Sequence, residues 1–349
     1  LVIVKRIWIG LAAGMVLAAG TIAASAQSEN PPAYQLSGVQ HIYQDWNNCG
    51  PATLTMGLSF FTSEELTQYP AAQWLKPNYE DKNVSPWQMV EYVNEQSTLG
   101  VRALLRQGGT IDLLRTLISN DFPVIVEAGF DPPNDDQGWM GHYQLVSGYD
   151  DNRGEFITQD SFEGPNYPYE YAYFDSFWRN FNRLYIVLYT PDREAELQAI
   201  LGDNFDETVN FQNALAAARA EAISNPDDPW AWFNMGTNFV GMGMYAEAAV
   251  AFDQARSVGG GLPWRMAWYQ FGPYEAYLNT GRYEDVINLA QATLNDGGGQ
   301  YVEETYYYAG LARAAMGERD RALLNLDGAI AFNPNFQPAR DAREQIQNS

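Results

Sequence analysis

The chain has 349 residues, a formal charge of −23, a single cysteine and two histidines. One cysteine rules out an internal disulfide framework and any multi-cysteine zinc site, and two histidines leave little basis for a histidine one. The acid excess argues against nucleic acid as a partner, since phosphate binding needs a basic footprint, and 46% hydrophobic with 18% charged residues is a globular composition long enough for two cores.

In chain order, residues 1–26 read as a secretory signal peptide. Lys5 and Arg6 give the positive start, 7–24 is uncharged and apolar, and Ala24-Ser25-Ala26 is a small-residue cleavage site ahead of Gln27. Secretion to an extracytoplasmic location is the expectation. An uncleaved anchor is the alternative for an apolar run of this length, and only then would a membrane be a partner. Residues 27–36 are a short linker.

Residues 37–190 have a mixed texture. Helix-compatible windows at 51–61, 86–95 and 111–119 alternate with short β-branched or aromatic runs at 101–105, 123–128, 143–148, 155–158 and 184–188. Turn residues bound these runs, Asp150-Asp151-Asn152-Arg153-Gly154 being the plainest. The pattern predicts an α+β domain, followed by a charged linker over 191–204.

Over 205–349 the strand signal vanishes. Gly243-Met244-Tyr245, Gly281-Arg282-Tyr283 and Gly317-Glu318-Arg319 recur at 38- and 36-residue spacing. Trp232, Gly236, Ala248, Phe252 and Ala255 surround the first, and Gly310, Ala322, Ala329 and Pro334 the last. The middle unit is degenerate, and 211–224 reads as an extra half-unit. The region resembles tetratricopeptide repeats, an all-α solenoid in which small residues let paired helices approach and large ones fill the gaps. The resemblance implies a surface for a protein partner.

The stretch that carries chemistry is Gln44-Asp45-Trp46-Asn47-Asn48-Cys49-Gly50-Pro51. Pro51 suits a first helical turn, so Cys49 falls at a helix start, where the helix dipole stabilises a thiolate. Gly141-His142-Tyr143 opens an apolar strand, and Asp160 closes the next one after a hairpin. That order places a base and an orienting acid on neighbouring strands, as a Cys-His-Asp relay requires. Gln44, Cys49, His142 and Asp160 are the candidate site. His41 is read as a surface or packing residue. Trp46, Trp139 and Tyr143 flank the site as cleft lining or core. Asp131, Asn134, Asp135 and Asp136 are read as a solvated loop rather than a calcium site.

These motifs resemble the bacteriocin-processing, double-glycine class of papain-like cysteine peptidases in its stand-alone exported form. The resemblance implies a papain-like α+β fold, with Cys49 as nucleophile, His142 as base and then acid, Asp160 as orienting carboxylate and Gln44 as an oxyanion donor. Members commonly carry a proline after that aspartate, where this chain has Ser161. The expected function is an exported cysteine peptidase acting on peptides or proteins, with no cofactor because thiol catalysis needs none. The alternatives are a catalytically weak peptide-binding scaffold and a thiol acyltransferase using the same relay.

Overall fold

The computed structural model describes residues 30–131 and 138–349. The expected signal peptide, and Asn134, Asp135 and Asp136 of the acidic loop, lie outside the described residues; Asp131 is exposed at the end of a strand.

Among the described residues seven strands form one antiparallel sheet: β1 (Ala33–Gln35), β2 (Arg102–Arg106), β3 (Val124–Phe130), β4 (Met140–Asp150), β5 (Glu155–Asp160), β6 (Gly164–Glu170) and β7 (Tyr185–Tyr189). Their spatial order is β2-β7-β3-β4-β5-β6, and β1 pairs with β4 beyond the last partner of β3. Side chains alternate across a strand, so the sheet feeds two cores. Ile125, Leu145, Ile186 and Leu188 face one side, against helix α1 (Cys49–Ser59), α2 (Tyr69–Leu75) and α3 (Pro86–Glu91), which runs on as a π-turn over Tyr92–Gln96. Val124, Val126, Val146 and Val187 face the other, against α4 (Ile111–Ser119), α5 (Tyr171–Trp178) and α6 (Glu194–Leu201). Burial on both faces explains why these strands read as continuous apolar runs.

Helix α1 is buried all round, from Gly50 to Ser59. Gly57 allows its seat on the sheet, since a Cβ there would lie 2.6 Å from the Leu188 side chain. Other helices start where the sequence supplies a cap. Ser85 and Gln88 form a capping box for α3, and the Thr110 hydroxyl accepts the Leu113 amide at the start of α4.

The stretch 191–204, expected as a linker, is largely helical, because Leu197 and Leu201 bury one face of α6. Strand β6 was not expected. It carries Pro165 and Pro168, which are tolerated because β6 is the sheet edge, where missing backbone donors cost little.

The C-terminal half is all helical: α7 (Glu207–Ser224), α8 (Pro229–Gly241), α9 (Tyr245–Ser257), α10 (Gly272–Asn279), α11 (Tyr283–Asn295), α12 (Glu303–Ala315), α13 (Arg319–Phe332) and α14 (Gln337–Asn348). It is a tetratricopeptide-type array. The recurring Gly243, Gly281 and Gly317 have φ of +70°, +75° and +80° in the tight turns within each pair. A Cβ at Gly236 would come within 2.5 Å of the Phe252 ring, so glycine sets the closeness of α8 and α9. In the middle unit α10 is short, and a 3₁₀ turn over Trp264–Trp268 precedes it. Among the described residues no helix is long and apolar enough to cross a membrane.

Residues 31–349 pack as one unit. Arg179 pairs with Asp228 and with Glu221 at 3.1 Å, and Arg183 with Glu221 at 2.8 Å. The Asn182 and Asn238 amides bond at 2.8 Å, and Asn210 bonds the Gln107 backbone in both directions. Trp139 stacks on Phe181 at 5.9 Å and also meets Trp230 and Tyr269 of the helical half.

A second seam joins α12 to the loop before α3 through buried carboxyls. Glu304 Oε1 accepts the Ser85 hydroxyl at 2.6 Å and the Asn83 amide at 3.2 Å. Glu303 Oε1 accepts the Asn333 amide at 2.8 Å, while Glu303 Oε2 and Asp81 Oδ2 are buried with no hydrogen-bond partner among the described residues. Burial and then the charge of Glu303 push Asp81 and Glu304 well above the usual carboxylate range. Groups raised in the fold give stability below their unfolded pKa of about 4 and lose it as pH climbs through the folded values. Glu303→Gln removes the shared charge and keeps an acceptor for Asn333. The variant is expected to melt roughly 2–4 °C above wild type at pH 8 for each kcal/mol recovered, with the gap closing towards pH 4. A gap independent of pH would show that this charge does not govern the seam.

Candidate active site

Cys49 is the first residue of α1, half-buried, with its side chain at the positive end of the helix dipole. Thr53, one turn on, donates its hydroxyl to the Tyr143 carbonyl at 3.1 Å and ties α1 to β4. His142 is the third residue of β4, since the strand begins at Met140, two residues before that histidine. It lies opposite Ala128 of β3 and is covered by Phe130, with ring centroids 4.6 Å apart.

Asp160 ends β5 and is fully buried. Its Oδ1 is 2.9 Å from His142 Nε2 and accepts the backbone amides of Phe162 at 2.9 Å and Glu163 at 3.0 Å. Its Oδ2 accepts the Gln144 amide at 3.0 Å and the Tyr169 hydroxyl at 2.8 Å. With Nε2 held there, Nδ1 is the nitrogen left for the hydrogen bond between His142 and Cys49.

These contacts decide the protonation state. Burial pushes the Cys49 thiol up, but the hydrogen bond and charge of His142, with the Gly50 and Tyr143 backbone, more than offset it, and the thiol is lowered. Burial pushes His142 down, while the charge and hydrogen bond of Asp160, then Cys49, raise it to about 10. Asp160 is held well below its ordinary range: burial alone would raise it, and His142 and the two backbone amides overcome that. At neutral pH the arrangement favours a thiolate–imidazolium pair over a neutral one.

Gln44 lines the same cavity of about 240 Å³ as Cys49 and His142. Its backbone amide donates to the Ser161 carbonyl at 2.9 Å, and its side-chain oxygen accepts the Ser161 hydroxyl at 2.9 Å. The oxygen being taken, the NH₂ end is the part free to donate. Gln68 fixes the rest of this loop: its oxygen accepts the Asp45 backbone amide at 3.1 Å and the Asn48 side chain, and its amide donates to the Tyr43 carbonyl at 2.9 Å.

The structure thus brings together all four residues singled out from the sequence. Of the flanking aromatics, Trp46 lines the cavity and is half exposed. Trp139 packs in the seam between the halves, and buried Tyr143 donates its hydroxyl to the Val84 carbonyl at 2.7 Å. His41 packs edge-on against Tyr43 and does not line the cavity. Sequence reasoning missed Lys82, Met140, Phe162 and Tyr269, which all line it. Tyr269 comes from the helical half and packs against Gly141, where a Cβ would approach its ring to 2.9 Å. The signal for it was weak: a cluster of aromatics, Trp264, Trp268 and Tyr269, where the middle repeat loses its pattern.

Comparison with known proteins adds the following. Residues 28–186 match the model of the Peptidase_C39-like family. Among solved structures, MamA superposes with a TM-score of 0.34 at 16% identity over 40% of this chain and 78% of that chain. MamA 41-end from Desulfovibrio magneticus RS-1 gives 0.32 at 14% identity over 45% and 91%. YrrB, described as a TPR protein with an unusual peptide-binding site, gives 0.22 at 18% identity over 43% and 88%. No curated protein matches the chain. The match to the Peptidase_C39-like family thus falls on the sheet-bearing half of the chain, which continues into the helical array.

Proposed function

We propose that the protein is a cysteine peptidase whose substrate cleft is walled by both halves of the chain. The single observation that carries this reading is His142, poised between Cys49 and the buried Asp160 in a cavity that Gln44 also lines. In acylation the Cys49 sulfur forms a bond to the substrate carbonyl carbon, and the negative charge on oxygen falls to the Gln44 NH₂ and the Cys49 backbone N–H. The C–N bond then breaks as His142 gives its proton to the leaving amine. Water adds to the thioester, His142 takes a proton from it, and the acid product leaves with the thiol restored. Asp160 keeps the imidazole oriented and stabilises its charged form whenever it carries the proton. We also propose export, with residues 1–26 removed, on the strength of Lys5, Arg6, the apolar run and Ala24-Ser25-Ala26.

Alkylation by iodoacetamide reads the thiolate directly. Because the thiol is lowered, the rate is expected to stay above that of a free thiol, with its fall displaced to lower pH, as pH drops from 9 to 6. His142→Ala should return it to the free-thiol curve, and Asp160→Asn should move it part of the way. A wild-type rate that follows the free-thiol curve overturns the reading.

Peptide turnover should vanish in Cys49→Ala and fall about 10²–10³-fold in Gln44→Ala, the cost of one oxyanion donor. Ser161→Ala is expected to cost about tenfold in kcat by loosening Gln44, a modest fraction of that loss, with alkylation of Cys49 unchanged and Ser161→Thr restoring the rate. If Ser161→Ala slows alkylation to the same extent as turnover, the serine merely supports the fold.

A further inference from the structure

Tyr269 is a wall of two cavities. One holds Cys49 and His142. The other, of about 410 Å³, lies between the start of α3 and the helical array. Its walls are aromatic and come from both halves: Trp87 and Phe336 have ring centroids 5.9 Å apart, Tyr307 meets Phe336 at 5.4 Å, and Phe271 stacks on Tyr308 at 6.2 Å.

Two carboxyls line this chamber, Glu275 and Glu304. Glu304 is only 2% exposed, and while its Oε1 is held by Ser85 and Asn83, its buried Oε2 has no hydrogen-bond partner among the described residues. Glu275 uses Oε1 for the Tyr245 hydroxyl at 3.2 Å. No lysine or arginine of the described residues lines the space. A buried acceptor without a donor is costly and points to a donor from outside the chain. Aromatic faces are negative at their centres and attract an ammonium or guanidinium group, while Leu105, Leu184 and Val240 suit its methylene stem. An anion would find no positive partner there, and an apolar group would leave Oε2 unpaired.

We propose that this chamber is a second substrate subsite, which receives a lysine or arginine side chain of the peptide cut at Cys49. The inference rests on the peptidase reading and extends it to a substrate class. Burial and the charge of Glu303 push Glu304 up, and burial pushes Glu275 up, so both hold their protons more tightly until a positive charge sits beside them.

The test is binding to the full chain carrying Cys49→Ala, so that nothing turns over. Acetylated ten-residue peptides carry one lysine, moved through successive positions, each matched by a norleucine peptide. At one or more positions the lysine peptide is expected to bind at least about tenfold more tightly. Glu304→Gln should cut that ratio below about threefold. Glu275→Gln, which leaves the Ser85 and Asn83 bonds in place, should lower it as well and guards against a folding defect in the first variant. Equal binding of lysine and norleucine at every position overturns the proposal, as does a lysine advantage that survives both substitutions. Neither result uses the thiol, so alkylation of Cys49 reads the underlying peptidase assignment separately.

Discussion

The arrangement depends on a carboxylate that water never reaches. Asp160 has no exposed surface, and an isolated charge there would cost several kcal/mol. Five donors, from β4, from β6 and from the turn after β5, make the charge tenable. One of them is His142, so the anion that those groups hold in place in turn raises the imidazole to about 10 and, through it, lowers the thiol. The next residue along, Ser161, clasps Gln44 by main chain and side chain. Two adjacent residues therefore set both the charge state of the relay and the place of the amide beside it. The departure from proline at that position has a physical use: proline has no hydroxyl to offer Gln44.

The helical half is seated as firmly as an interior element. Arginine pairs, an Asn–Asn amide pair and the aromatic group around Trp139 fix one end. The buried carboxyls Asp81, Glu303 and Glu304 fix the other. The second seam has a net negative bias that Lys76, itself buried, offsets only in part. Its groups remain compatible because hydrogen bonds from Ser85, Asn83 and Asn333 steady two of the carboxyls and burial favours the neutral form of Asp81 and Glu304.

Local features of the sequence were sufficient to find the relay. The Cys49-Gly50-Pro51 helix start, the strand after His142 and the hairpin before Asp160 each depend on a few neighbouring residues. The repeats were legible for the same reason, since each glycine turn is a local backbone requirement. What escaped notice depends on distant partners. Ser161 meets Gln44 across 117 positions, and Tyr269 meets Gly141 only once the helical half has folded back. The division of the aromatics was readable in principle. Successive strand residues point to opposite faces, so Tyr143 had to turn away from the cavity that His142 faces. Edge strand β6 was hidden by its prolines, and α6 by a charged surface that masks two buried leucines.

The fit of Tyr269 on Gly141 also has a meaning for the order of assembly. Chains emerge from the ribosome N-terminus first, and contacts between distant segments form late. A nascent chain that has passed Tyr189 already contains the cysteine, the histidine and the aspartate, yet it lacks one wall of the cleft. That wall arrives with the middle repeat, and the Glu303–Glu304 seam later still. The reactive sulfur is therefore fully housed only after the middle repeat has been made and has folded back. The 220 positions that separate Cys49 from Tyr269 thus act as a timer on the cleft.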